Sequence, residues 1–425
     1  MATGPGPSAG SEYEGRVVAE PPRVLVLARS YPNAQFPTLG VWTQRMVVAS
    51  TGGAQPTVIA PVPYVPPGVP FRSAARFRAV EREQKAGGVH VLHPRIPVGP
   101  GHLLHSLDAR LAYPFVRQTA LALTRERPFD VVHAHFIYPD GVIAARLGRE
   151  LGIPVVVSEH SVWRPWLDRE PAVRRQVEAA LPSIARVTAV SDVLRRNIEE
   201  IVQGRVPVDV LPNVVDDDVF TPAIAGEAPD PNQLLFVGTI RHVKGLDLLV
   251  RALALVTPRW PDAHLAVAGG AFYRTYARDE QSVRALVHEL GLTQRVRFLG
   301  ERSSLDVARE MRRSVMLVVP SRRETFSLVT AEALACGTPV VATRCGGPEE
   351  LITPELGRLV ANENVEALAD GIMALHAERH RFDATIMRAW AVSRFGRAVV
   401  GRQLADLYAS VAIVSSEKRL SVAGT

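Results

Sequence analysis

Cysteine is nearly absent from this 425-residue chain: only Cys336 and Cys345 occur, with no CxxC and no Cys/His cluster. Two thiols cannot staple a chain of this length, so no disulfide framework and no thiolate metal centre is expected, and both read as free buried thiols. Lysine is almost as rare, with Lys85, Lys244 and Lys418 the only examples, so arginine supplies nearly all the positive charge. No apolar run approaches the ~20 residues that span a bilayer. Residues Met1 to Glu20 carry neither the basic nor the apolar part of a signal peptide. A cytoplasmic protein is the expectation. No segment completes GxGxxG, although Gly269 and Gly270 follow a strand-like run, so a dinucleotide fingerprint is unsupported.

What the chain does have is 47% hydrophobic content, enough to bury a sizeable core, and a length that suggests two domains. Short apolar runs alternate with helical periodicity. RVLVLA, TVIAPV, VHVLHP, DVVHAH, PVVVSEH, RVTAVS and VDVLPN fill the first half, and LLFVG, HLAVAGG, VRFLG, SVMLVVPS, PVVAT and GRLV the second. That alternation predicts α/β architecture with parallel sheets covered by helices on both faces. The Pro- and Asp-rich stretch 216–233 interrupts it as a linker would. The expected plan is therefore a disordered tail (1–20), a doubly wound Rossmann-like domain (21–215), the linker (216–233) and a second such domain (234–383). A helical segment (384–412) packing back on the first domain and a tail (413–425) complete it. Ligands of such sheets sit beyond the carboxyl ends of the strands, so a shared ligand would lie in the cleft between the domains.

The formal charge of +6 is concentrated in one place. Between Phe71 and Arg127 there are ten basic residues against four acidic ones. Such a segment suits a solvated face, an anionic lipid surface or a phosphorylated substrate. No nucleic-acid partner is expected, because no aromatic residues are interleaved as stacking platforms.

The segment SRRETFSLVTAEALACGTPVVAT, Ser321 to Thr343, places Glu324 in a strand-to-helix loop and Glu332 within the following helix, which stops at Gly337 and Pro339. Eight residues at ~1.5 Å rise separate their backbones by roughly 12 Å. That exceeds the roughly 5 to 9.5 Å of a glycosidase carboxylate pair, which argues against an acid/base dyad. Between them lies a helix start, where the amides of Phe326, Ser327 and Leu328 would favour an anion. Carboxylate, anion site, carboxylate is a layout that fits a nucleoside diphosphate sugar, with Glu332 at the ribose and Glu324 at the sugar. Two ordinary surface glutamates fit the segment too.

In the first half, His133 and His135 are two apart on a strand and share one face, His135 at its C-terminal end. No further ligands stand nearby to make a metal site with them. A hydrogen-bonded core role and a substrate contact both remain open. In SEHSVWRPW, His160, Trp163, Arg164 and Trp166 are candidates to line an acceptor site, with buried structural tryptophans as the alternative.

Several motifs, in order along nearly the whole chain, resemble retaining glycosyltransferases of family four, which have the GT-B fold. ETFSLVTAE is similar to their E-x7-E motif, LPNVVDDDVF to "PNGVD…F", FVGTIRHVKGLDLL to "VGRL…KG" and CGGPEELI to "GG.PE.I". SYPNAQFPTLGVWTQR, DVVHAHFIYPDG and AVSDVLRRNI are also similar to family segments. The resemblance implies two Rossmann-like domains facing across a cleft, and metal-independent transfer from a nucleotide sugar, UDP- or GDP-linked, to a glycan, lipid-linked or small-molecule acceptor. No cofactor is implied. It assigns Lys244 to the donor diphosphate, His135 and Glu324 to the donor sugar, and Gly40 to a loop that approaches the phosphates. Glu350 is a candidate donor contact from the "GG.PE" turn. Many relatives carry arginine where this chain has Thr239, which leaves Arg241 or Arg323 to supply the second cation. Asp216, Asp217 and Asp218 fall where the family carries structural Asp, and no metal is expected there. Relatives with lipid-linked acceptors make the 71–127 segment a candidate contact with the inner membrane face. Other readings are a GT-B-type epimerase or phosphorylase, which would turn over sugar nucleotide without an acceptor, and a non-catalytic nucleotide-sugar-binding protein, which would bind without transfer.

Overall fold

The computed structural model describes residues 20–68, 72–98, 105–163, 166–223, 229–270 and 276–423, with backbone alone for 72–74 and 414–423. The β-branched runs of the first half form one eight-stranded sheet. Its spatial order is Val208–Val210, Arg186–Ala189, Val155–Glu159, Val131–His135, Arg23–Leu27, Gln55–Ile59, Val89–Leu92 and Glu83–Ala86. All neighbours are parallel except Glu83–Ala86, which pairs antiparallel with Val89–Leu92. The second half builds a six-stranded sheet in the order Val296–Gly300, His264–Ala268, Asp230–Val237, Ser314–Val319, Val340–Thr343 and Gly357–Val360, again parallel. The central strands are buried on both faces, which is why they read as continuous apolar runs rather than alternating ones.

Both sheets are covered on two sides. In the first domain, helices Asp108–Glu126, Val142–Leu151, Pro171–Ala180 and Asp192–Val202 contribute to the core of one face, and Val41–Ser50 with Arg397–Ala423 to that of the other. Leu404 and Tyr408 of the last helix are fully buried there. At roughly 1.5–3 kcal/mol per buried large apolar side chain, this helix is an integral part of the first domain.

Three boundaries differ from the sequence reading. The strand expected from Leu234 already begins at Asp230, within the predicted linker, because Asp230 pairs with Ser314 across an irregular step before the regular ladder resumes at Leu234. The segment 384–412 is split. Helix Ala384–Phe395 packs on Leu328–Ala335 of the second domain, and only the helix after Gly396 lies on the first. That helix also runs to Ala423 instead of giving way to a tail at 413. The predicted tail 1–19 lies outside the described residues.

The chain crosses between domains twice at one place. Val215 N donates to Phe395 O at 2.8 Å, and the Arg397 guanidinium bonds Asp216 at 2.6 Å and Asp218 at 3.0 Å, while its amide reaches Asp217 at 3.2 Å. The acidic triple is thus engaged in joining the two crossing strands. In the basic segment, Arg76, Arg78 and Arg95 bond backbone carbonyls, and Arg117 and Arg127 bond Glu150 and Glu20. Arg82, Lys85, Arg110 and Arg125 are exposed. Among the described residues no helix is long and apolar enough to cross a membrane.

Candidate active site

The carboxyl ends of the central strands of both sheets border the interdomain cleft. The loop after Ser314–Val319 carries the most densely connected part. Lys244, at the end of the short turn His242–Lys244, places Nζ 2.6 Å from Glu324 Oε1, and Ser321 Oγ donates to the same oxygen at 2.7 Å. Three residues after Glu324, Ser327 takes a left-handed conformation (φ 72°, ψ 68°) and opens helix Leu328–Ala335. The amides of Phe326, Ser327 and Leu328 donate to no acceptor among the described residues, although Phe326 and Ser327 are buried. First-turn amides have no partner within their own helix, so this helix start is able to take an anion. Gly347 presses against it from the neighbouring loop. A Cβ there would lie 2.5 Å from the Phe326 carbonyl, so only glycine allows this approach.

Glu332 has separate partners. Its side chain is 7% exposed, and Oε1 accepts from Arg45 Nη1 of the first domain at 2.5 Å. The two glutamates of the segment therefore do not face each other as a pair: one meets Lys244, the other Arg45.

From the first domain, His133 and His135 do share a face, their rings 4.6 Å apart. His133 is tied into the core by Tyr408 Oη at 2.7 Å and Ser158 Oγ at 2.8 Å. His135 Nδ1 lies 3.0 Å from His160 Nε2, and the two rings stack at 5.3 Å. His135 Nε2 and, beside the histidine pair, Trp42 Nε1 make no hydrogen bond among the described residues. Phe136, next in the chain, is held at φ 70°, a strained setting for a bulky residue and one found most often at functional loops. Both histidine loops converge on Glu159. Its carboxylate accepts from Ile137 N (2.9 Å), His160 N (2.8 Å), Ser161 N and Oγ (2.9 Å each) and Trp163 Nε1 (2.6 Å).

Burial lowers the basicity of all three imidazoles, His133 to about 3, His160 to about 4 and His135 well below the usual value. They are neutral near pH 7. The unfolded chain takes up protons first, near pH 6.5, so their contribution is complete above about 6.5 and is lost as pH falls toward about 4. The slope is at most about 1.4 kcal/mol per pH unit for each imidazole. Asp140, raised by burial to about 6, works in the opposite sense. Imidazole 15N shifts should show no protonation of His133, His135 or His160 between pH 8 and 5; titration of any of them near 6.5 would contradict this environment.

Two candidates are corrected. Trp163 is fully buried, and its indole N–H is consumed by Glu159, so it is a core residue and not an acceptor wall. Glu350 caps a helix of the other domain: its carboxylate accepts from Asp192 N at 3.0 Å and Val193 N at 2.7 Å. Trp166 lies near His105 and Tyr138, at 5.9 and 6.2 Å between rings. Arg164 lies outside the described residues.

Next to these groups is a cavity of about 600 Å³ lined from both domains, by Leu39, Gly40 and Trp42 on one side and Gly238, Thr239 and Arg241 on the other. Gly40 holds φ 69° at the start of helix Val41–Ser50, and a Cβ there would meet Ser30 O at 2.0 Å. Arg241 lies 4.5 Å over the Tyr276 ring, beside the Thr239 position. Arg322 is taken by Asp247 at 2.7 Å, whereas Arg323 is exposed. Sequence reading missed Trp42, Arg45, Glu159 and Tyr276. Trp42, Arg45 and Glu159 stood in quoted segments, yet none had a spacing that marked it.

A cleft between two parallel-sheet domains, with an open helix start and a lysine-carboxylate pair on one wall and neutral histidines on the other, is the layout of a GT-B glycosyltransferase. Sequence comparison gives the family. The model described as Glycosyltransferase Family 4 matches residues 23–219, and the one described as Glycosyl transferases group 1 matches 220–388. The D-inositol 3-phosphate glycosyltransferase of Xylanimonas cellulosilytica is 31% identical over 349 residues, 76% of this chain and 82% of that protein. The enzyme of the same name from Nocardiopsis dassonvillei is 32% identical over 340 residues, covering 74% and 76%. Among solved structures, sucrose-phosphate synthase from Thermosynechococcus elongatus superposes with a TM-score of 0.73 at 19% identity, over 92% of this chain and 100% of that one. Anabaena HepE in complex with UDP and glucose gives 0.69 at 19% identity, with the same coverage. The chain belongs to glycosyltransferase family 4.

Proposed function

We propose that the chain transfers a sugar from a UDP- or GDP-sugar to a small hydroxyl-rich acceptor, with retention of anomeric configuration and without a metal. The observation that carries this reading is the set of undonated amides at Phe326, Ser327 and Leu328 on the loop that also holds the Lys244–Glu324 pair. These groups lie where a diphosphate would need positive partners, and they can take up the charge that develops as the bond from the anomeric carbon to phosphate oxygen breaks. The acceptor oxygen forms the new bond on the same face, and its proton passes to the departing diphosphate, so no separate protein base is required. His135, neutral and with a free Nε2, can hydrogen-bond a sugar hydroxyl. Glu324 does the same for the far hydroxyls, and Glu332 for the ribose. Arg241 stands beside Thr239 to supply the missing cation. The names of the two relatives direct the acceptor search to cyclitol phosphates.

A thermal-shift screen over UDP-, GDP-, ADP- and dTDP-sugars identifies the donor. A ligand at a hundred times its Kd should stabilise the chain by about 2.7 kcal/mol. Transfer in the presence of EDTA, with the product anomer read by NMR, tests the rest. No binding of any nucleotide sugar would refute the reading, and an inverted product would refute retention.

A further inference from the structure

Arg45 belongs to no predicted site, yet among the described residues it makes the most buried ion pair between the domains. It projects from helix Val41–Ser50 of the first domain, which begins at Gly40 on the cavity wall. Its Nη1 lies 2.5 Å from Glu332 Oε1 and its Nη2 3.2 Å from Ser304 Oγ, both in the second domain. The guanidinium also lies 5.1 Å over the Phe220 ring, where the chain leaves the first domain. The side chains of Arg45 and Glu332 are only 9% and 7% exposed. The guanidinium is itself held at two points, Nη1 on Glu332 and Nη2 on Ser304, so rotating either charged side chain away would strand a buried charge. Glu332 Oε2 accepts from no described residue.

We propose that Arg45 is the positioning residue for ribose recognition: it crosses the cleft to fix Glu332 through Oε1, leaving Oε2 to accept from a ribose hydroxyl. The inference rests on the ribose reading of Glu332 given above. It adds a dependence that a carboxylate on the donor domain alone would not have. The partner that orients Glu332 comes from the other domain, so a properly held ribose requires the closed arrangement. Ribose binding and closure then favour each other, as two events sharing one contact must. Burial pushes the Glu332 carboxyl up and Arg45 opposes it, so an open cleft would also change the character of the acceptor oxygen.

The test compares uridine and guanosine diphosphates with their 2′-deoxy counterparts, titrated calorimetrically into the full chain. The wild type should prefer the ribonucleotide by about tenfold, the value of one hydrogen bond to a charged group. Arg45→Met should lose that preference, as Glu332→Gln should, and Arg45→Lys should recover part of it. Arg45→Gln provides a second substitution if the methionine variant does not fold, with folding checked by circular dichroism. A general structural lesion would weaken both nucleotides alike and leave their ratio unchanged. A wild type that binds both forms equally, or neither, removes the ribose reading and the proposal with it. A wild type that discriminates while folded Arg45 variants discriminate just as well overturns the role of Arg45 and leaves the ribose reading standing.

Discussion

Replacing Lys244 with alanine should lower kcat for sugar transfer by about a thousandfold while weakening donor binding by only about tenfold. Lys244 Nζ bonds Glu324 at 2.6 Å, which sets the ammonium against the loop that opens helix Leu328–Ala335. In the proposed reaction a diphosphate bound there would carry most of its charge before reaction, with the amides of Phe326, Ser327 and Leu328 supplying much of the ground-state attraction. The lysine matters most as the leaving group gains charge, and that asymmetry separates kcat from binding. Its loss also leaves Ser321 as the remaining side-chain partner of Glu324. Single-turnover transfer and calorimetric titration of the donor measure the two effects separately. Equal losses in both would show that the lysine contributes binding alone.

The second large effect is expected from a residue that touches no reacting atom. Glu159→Leu should cost about 3–5 kcal/mol in stability and remove transfer activity in whatever fraction folds. The carboxylate accepts from three amides, one hydroxyl and one indole, and leucine leaves all five without this acceptor, the Ile137 amide and the Trp163 indole in buried surroundings. These donors belong to the loops that carry His135 and His160, so the loss falls on the site as well as on the fold. Glu159→Gln keeps the shape but turns an amino group toward donors, and should lie between wild type and leucine. Ser161→Ala removes one donor of the five and should change stability by less than about 1 kcal/mol. Urea unfolding with matched m-values gives the stabilities. A leucine variant as stable as the wild type would mean that the carboxylate does not hold these loops.

The parts of the structure most visible in the sequence are those governed by local pattern. Val131–His135, Val155–Glu159 and Val340–Thr343 are buried on both faces and therefore appeared as unbroken apolar runs. The helix stop at Gly337 was likewise written in local chemistry. Strand Glu83–Ala86 was missed because its inward-facing residues are Gln84 and Ala86, which give no apolar alternation; the Gly87-Gly88 pair, a two-residue hairpin signal, was the clue that remained. At the site, residues within one loop were placed from spacing, as for Glu324 and the start of helix Leu328–Ala335. Pairings between distant segments left no trace in spacing: Arg45 with Glu332, and Glu350 with the amides of Asp192 and Val193, join positions more than a hundred residues apart. Trp163 was misplaced for a related reason. An indole beside a histidine reads the same whether it faces a sugar or a buried carboxylate.

The double crossing at Val215 and Phe395 bears on how such a cleft can move. A single linker would let one domain swing and twist freely relative to the other. Two hydrogen-bonded segments, joined by Arg397 to three successive aspartates, anchor the domains to each other at two points side by side. Any rotation between the domains would have to turn about this junction.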